Sequence, residues 1–162
     1  MRCVHPLVHS LQLQPHPEGG FFRETYRAPA VIPGTLRSVS TAILYLLEAG
    51  QRSTLHRIDA DEVWHFYEGD PLQVIELQAS GPAKITTLSR EHPQHVVPAG
   101  VWFGSIPASG SRFSLVGCTV SPGFEFEHFE IGSRAALLAQ FPEARAQIEL
   151  LTAPQGVTNG GT

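Results

Sequence analysis

The sequence predicts an all-β fold, a closed barrel or sandwich of short strands followed by short C-terminal helices. Three observations carry this reading. Apolar, β-branched and aromatic runs recur at short intervals, as in sandwiches and barrels. Glycine or proline punctuates most of the gaps, with 15 glycines and 13 prolines in 162 residues. A hydrophobic fraction of 42% with nine phenylalanines is enough to build a core and excludes a disordered chain.

At the N-terminus Val4, Leu7, Val8 and Leu11 fall at helical spacing, so residues 3 to 11 suggest a short helix despite Pro6. Pro15-His16-Pro17-Glu18-Gly19-Gly20 is a turn-rich entry to a strand at Phe21–Tyr26, which Pro29, Pro33 and Gly34 end. The run from Ser38 to Leu47 is nearly all apolar, as expected of a central strand covered on both faces. Thr54–Ile58 and Glu62–Tyr67 read as a hairpin joined through Asp59-Ala60-Asp61, with Gly69-Asp70-Pro71 closing it. Further strands are predicted at Leu72–Gln78, Ala83–Leu88, His95–Val97, Val101–Ser105, Ser111–Val120 and Phe124–Glu130. Ser133 is positioned to cap a helix over Arg134–Gln140, and Pro142 suits the first turn of a second helix reaching Leu151.

Length sets one domain, residues 1–152, with a flexible tail at 153–162. A formal charge of -4, with the single lysine Lys84 and scattered arginines, leaves no basic stripe for nucleic acid. Cys3 and Cys118 announce no disulfide framework or zinc knuckle, and the first 20 residues lack the apolar run of a signal peptide. No stretch approaches the about 20 apolar residues of a membrane-spanning helix. A soluble, cytoplasmic protein without a membrane or nucleic-acid partner is expected.

The most specific pattern is Gly50-x5-His56-x-Ile58-x3-Glu62-x6-Gly69, with Pro98-Ala99-Gly100-Val101-Trp102-Phe103 later in the chain. These two segments resemble the first and second motifs of the cupin superfamily, in which further histidines stand where this chain has Ile58 and Phe103. A catalytic divalent metal needs three or four converging nitrogen or oxygen ligands, and only His56 and Glu62 remain. No cofactor or metal is therefore expected; if a metal is bound, His56 and Glu62 are its ligands. His65 lies at odd spacing from Glu62 and so points to the opposite sheet face, whereas Trp64 and Phe66 share the side of Glu62.

A narrower resemblance rests on His16–Arg27, Ser40–Ile43, His56–Ile58, Asp61–Tyr67, Gly69–Leu72 and Gly117–Phe124, and extends over about residues 7 to 151. Together these segments are similar to the cupin-family proteins known as predicted sugar epimerases. The resemblance implies a jelly-roll (double-stranded β-helix) cupin barrel and a homodimer. A more distant likeness to the nucleotide-sugar 3,5-epimerases rests on Gly20-Phe21-Phe22-Arg23-Glu24 and on His56 in the place of the catalytic histidine. In those enzymes the first run crosses the dimer to line the partner's site. The chain departs from them at Gly19, where they carry arginine, and in lacking a lysine near the histidine.

Epimerisation beside a carbonyl needs a base, an acid on the other face and a donor for the developing enolate oxygen. His56 is the candidate base and Glu62 the carboxylate that orients it; Phe22, Glu24, Tyr45, Trp64, Phe66 and Phe103 are the candidate ligand-binding residues. Each has a plainer reading. His56 can be a core histidine with a satisfied hydrogen bond, and Trp64, Phe66 and Phe103 can be simple core. Tyr45 can hydrogen-bond at the barrel rim. His65, His92 and His95 read as surface or edge residues, Glu125, Glu127 and Glu130 as a solvated strand face, and Cys118 as buried and inert. Three function classes are compatible with this set: an isomerase or epimerase acting on a sugar, nucleotide sugar or nucleobase-like compound, a non-catalytic small-molecule sensor, and a metal-dependent dioxygenase or lyase.

Overall fold

The computed structural model describes residues 4–153. The chain runs α1 (Pro6–Ser10), β1 (Gln14–Pro15), β2 (Phe21–Arg27), β3 (Thr41–Glu48), β4 (Ser53–Ile58), β5 (Asp61–Gly69), β6 (Leu72–Glu76), β7 (Lys84–Leu88), β8 (Gln94–Val97), β9 (Phe103–Pro107), β10 (Phe113–Ser121), β11 (Phe129–Ile131), α2 (Arg134–Gln140) and α3 (Arg145–Leu151). The strands form two antiparallel sheets, β1-β2-β3-β10-β5-β8 and β11-β4-β9-β6-β7. This is the expected all-β jelly-roll barrel with short C-terminal helices. Apart from Ala153, the expected tail lies outside the described residues, as does Cys3. No helix among the described residues is long and apolar enough to cross a membrane.

Inward residues of both sheets meet in one core of Tyr45, Leu47, Trp64, Leu72, Val74, Leu88, Val97, Phe103, Val116 and Cys118. A second apolar cluster joins Leu55, Ile75 and Trp102 to Leu137, Ile148 and Leu151 of α2 and α3. Each fully buried aliphatic side chain contributes about 1.5–3 kcal/mol, far more than the intrinsic propensity of a seven-residue helix, so packing holds these helices in place. Ser133 occupies the N-cap position of α2 but its side chain makes no capping bond. Arg134 does related work at the far end of α3, donating to the Glu149 and Thr152 carbonyls at 2.7 Å each and to Thr152 Oγ1 at 2.8 Å.

Two expectations are corrected. β4 and β5 are not a hairpin: β4 pairs with β9 and β11, and β5 with β10 and β8. The short connection at Asp59–Ala60 carries the chain from one sheet to the other. β4 is covered on both faces, with His56 toward the barrel interior and Leu55 against the helices, so it lies within a sheet rather than folding back on its sequence neighbour. The strand expected at Phe124–Glu130 shrinks to Phe129–Ile131, preceded by a 3-10 turn at Phe126–His128. Phe124, Phe126 and Phe129 do not alternate across a sheet; they pack edge to face in one cluster, with centroids 5.0 to 6.1 Å apart.

Two local devices hold the polar interior of the barrel in place. The turn before β2 is closed by His16 and Gly20 and is tied to the barrel by Tyr45 Oη donating to the Gly19 carbonyl at 2.6 Å and Thr54 N–H donating to the Glu18 carbonyl at 2.8 Å. Gly19 has φ +109°, and a Cβ there would overlap the Arg52 carbonyl. At the opposite seam, Glu76 of β6 is buried and accepts from His95 Nε2 of β8 at 2.6 Å, with Lys84 Nζ at 3.4 Å. His95, expected to be idle, thus clasps one sheet to the other.

Gly19→Ala is expected to lower the urea unfolding midpoint by a shift equivalent to about 1–3 kcal/mol, since both backbone strain and overlap oppose it. His95→Ala should cost about 1–3 kcal/mol in the same measurement by leaving the buried Glu76 carboxylate short of a partner.

Candidate functional site

Beside the core, a cavity opens between the sheets, lined by His16, Glu18, Phe22, Glu24, Arg27, Thr41, Ile43, His56, Ile58, Glu62, Val120, Phe124, Glu125 and Phe126. Its polar floor comes from three places. His56 projects from β4, Glu62 from β5 in the facing sheet, and His16 and Glu18 from the clamped turn before β2. All three of His56, Glu18 and Glu62 are more than nine-tenths buried.

His56 is fixed through Nδ1 and meets Glu18 at Nε2. Nδ1 lies 2.7 Å from the Thr54 carbonyl and therefore carries the proton, leaving Nε2 to face Glu18 Oε2 at 3.1 Å. Burial lowers the His56 pKa, against the opposing effects of the Glu62 charge and the Thr54 carbonyl. Burial pushes the Glu18 carboxyl up to about 8, against the opposing Ser53 and Tyr45 hydroxyls. The 3.1 Å contact would suit an ion pair. Charge separation in a dry site is costly, however, and both groups are shifted toward neutrality. Around neutral pH the close approach is therefore favoured as a neutral contact and not as an ion pair.

Glu62 is raised to about 7, first by burial and then by Glu18, with His56 acting the other way. His16 falls to about 4 through burial and the neighbouring His56. Its Nδ1 accepts from the Glu18 N–H at 3.2 Å, which suits a neutral ring. The cavity therefore holds two carboxyls poised near neutrality, set on different elements and sharing the cavity with an imidazole. Such groups can take up and release protons at physiological pH.

Around this floor the walls are apolar: Ile43, Ile58, Val120 and the rings of Phe22, Phe124 and Phe126. At the mouth, Arg27 donates from Nε and Nη2 to the two Glu24 oxygens at 2.9 Å each, from Nη1 to Glu125 at 2.6 Å and from Nη2 to the Phe124 carbonyl at 3.0 Å.

Of the residues expected at the site, His56, Glu62, Phe22 and Glu24 line this cavity. The last two line the cavity of their own chain. Tyr45, Trp64 and Phe103 are in the core, and Phe66 packs against it. Tyr45 Oη is committed to the Gly19 carbonyl, so this phenol positions the turn that carries Glu18. His65 faces outward, to Thr119 Oγ1 and Gln94 at 3.1 Å each. The partner nearest to His56 Nε2 is Glu18, not Glu62. Cys118 is buried beside Glu62.

His16, Glu18, Arg27, Glu125, Phe124 and Phe126 were not singled out from the sequence as site residues. For Arg27 the reason is a bulge. Alternation from Phe22 and Glu24 would aim Tyr26 inward, but the pairing with β3 slips between Glu24 and Tyr26, so Tyr26 is exposed and Arg27 stands opposite Thr41 at the cavity. For Glu18 the available signal was a pair of titratable residues, His16 and Glu18, embedded in a Pro/Gly turn.

The residues do not fit the metal set that the cupin motifs imply. Ile58 and Phe103 offer no donor, and His56 Nε2 is engaged by Glu18. Among the described residues no group of three or more His, Cys, Asp or Glu side chains is arranged to hold a metal ion.

Comparison with known proteins agrees with this architecture. The chain is similar to a protein of Shewanella oneidensis, SO0799, whose crystal structure superposes with a TM-score of 0.86 at 38% identity, covering 96% of this chain and 100% of that one. A hypothetical protein from Leishmania major gives a TM-score of 0.83 at 32% identity, covering 91% and 97%. The uncharacterized protein YML079W of Saccharomyces cerevisiae is 27% identical over 145 residues, 76% of this chain and 72% of that protein. A family model described as "Cupin superfamily (DUF985)" matches residues 5–132. The chain belongs to the cupin superfamily.

Proposed function

We propose that this cupin binds a small polar organic molecule in the cavity and isomerises it by moving a proton at a carbon beside a carbonyl, as a metal-independent epimerase or isomerase. The observation that carries the reading is the convergence of separate proton-exchanging groups on one cavity. Glu18, from the turn before β2, approaches His56 of β4, and Glu62 comes from β5 in the sheet facing β4. Inversion at a carbon requires removal of a proton on one face and return on the other, which a single group cannot do.

In this reading Glu62, half ionised near pH 7, takes the proton from carbon on one side. The Glu18 carboxyl gives its own proton to the carbon on the other, while His56 positions that carboxyl. Thr54 holds the imidazole in the tautomer whose Nε2 faces the cavity acid. In the reverse direction the roles exchange. The sugar-type substrate and the homodimer implied by the family resemblance belong to this proposal.

The test is solvent exchange. Purified protein incubated in deuterated water with a panel of small hydroxy-carbonyl compounds, pentoses, hexoses and amino sugars included, is expected to label at least one of them at the carbon next to the carbonyl. Glu18→Gln and His56→Ala should each slow that labelling by about 100-fold or more. Labelling at the wild-type rate in both variants would remove the pair from the mechanism.

The same titrations predict a pH dependence of stability. Glu18 and Glu62 have folded-state pKa values above their unfolded ones, so between those values the folded state binds more protons and stability falls as pH rises. His16 and His56 act in the opposite sense, but only below about pH 6.5, the ordinary histidine value. From about pH 6.5 to 8.5 the urea midpoint should therefore decline, and Glu18→Gln should flatten the decline. A rising midpoint over that window would contradict the assignment.

A further inference from the structure

We propose that the cavity selects a small organic cation, presenting a protonated amine or amidinium to Glu62, over anions and phosphorylated compounds. The inference rests on the same cavity as the acid–base reading and names the charge class of its ligand.

Three observations carry it. The Glu62 side chain is more than nine-tenths buried and lines the cavity. Among the described residues no N–H or O–H group donates a hydrogen bond to its carboxyl, and the Cys118 thiol beside it is a weak donor. A buried carboxyl whose one donor is a thiol is poorly satisfied, and a ligand cation would supply a strong donor.

The second observation is the charge around it. Four carboxyl groups, Glu18, Glu24, Glu62 and Glu125, line the cavity against one guanidinium. That guanidinium, Arg27, is already bound to two of the four and to the Phe124 carbonyl. His16 and His56 are held toward their neutral forms. A phosphate or carboxylate entering here would meet Glu24 and Glu125 at the mouth with no unpaired cation to receive it.

Third, Phe22, Phe124 and Phe126 place aromatic rings along the walls, surfaces that attract a cation and not an anion.

Binding is proton-linked. Glu62 faces His56 from β4, Glu18 from the turn before β2 and Cys118 from β10, and it is about half protonated near pH 7. A bound ammonium or amidinium favours the carboxylate, so the Glu62 proton leaves to solvent as the ion pair forms.

Benzamidine, benzamide and benzoate have nearly the same shape and differ in charge, so calorimetric titration of the intact protein with each at pH 7 and low salt isolates the charge term. Benzamidine is expected to bind at least about tenfold more tightly than benzamide, and benzoate more weakly than either. Repeating the benzamidine titration in two buffers of different ionisation enthalpy should show net proton release, and Glu62→Gln should abolish both the preference and the release. Equal affinity for the three, preference for benzoate, or no benzamidine binding at millimolar concentration would overturn the inference. Solvent exchange that persists without a cation preference sinks the charge class alone, whereas a cation preference with no exchange in any compound sinks the isomerase reading alone.

Discussion

The site depends on one contact made across the barrel, the approach of Glu18 Oε2 to His56 Nε2. Burying an ionised carboxyl or imidazolium this deeply is costly, and the approach brings together two groups that burial holds toward neutrality. The contact exists because a five-residue turn is clamped against the barrel wall by Tyr45 Oη and the Thr54 N–H. Gly19 admits that clamp through a backbone conformation that side chains oppose, at a point where the Arg52 carbonyl leaves no room for a Cβ. Core and site are therefore coupled: Tyr45 packs with Trp64 and Phe103 on one side and holds the acid-bearing turn on the other.

The apolar residues at positions 58 and 103 and the raised carboxyl pKa values are two sides of one arrangement. Ile58 contributes an apolar wall where a ligand would stand, and Phe103 packs tilted against His56 with ring centroids 4.3 Å apart. Removing donors dries the surroundings of the imidazole, and dryness is what drives the carboxyl pKa values upward. A three-histidine site would need the opposite environment, in which neutral imidazoles stay free to coordinate a cation. The mouth adds a further constraint, because Arg27 is spent on Glu24, Glu125 and the Phe124 carbonyl, fastening the aromatic segment 124–126 to the edge of β2.

The fold was largely legible in the sequence because its signals are local. Turn residues separate short apolar runs, and the interior parity of Glu62, Trp64 and Phe66 followed from strand alternation alone. Legibility failed where partners are distant. The apparent hairpin of β4 and β5 was an inference from proximity, but both faces of β4 are claimed by other parts of the chain. His95 looked idle because its partner, Glu76, lies 19 residues away in the facing sheet.

For this protein the sequence by itself determined the strand-rich composition, the cupin spacing around His56 and Glu62, and the absence of histidine at positions 58 and 103. These are properties of residue identity and short-range order. Tertiary structure decided which carboxyl meets the imidazole, which aromatics reach the cavity and which stay in the core, and that a bulge brings Arg27 to the cavity mouth in place of Tyr26. The reason is physical: alternation fixes the face of a strand, but a pKa and a pairing depend on how much water is excluded and on what approaches from elements distant in the chain.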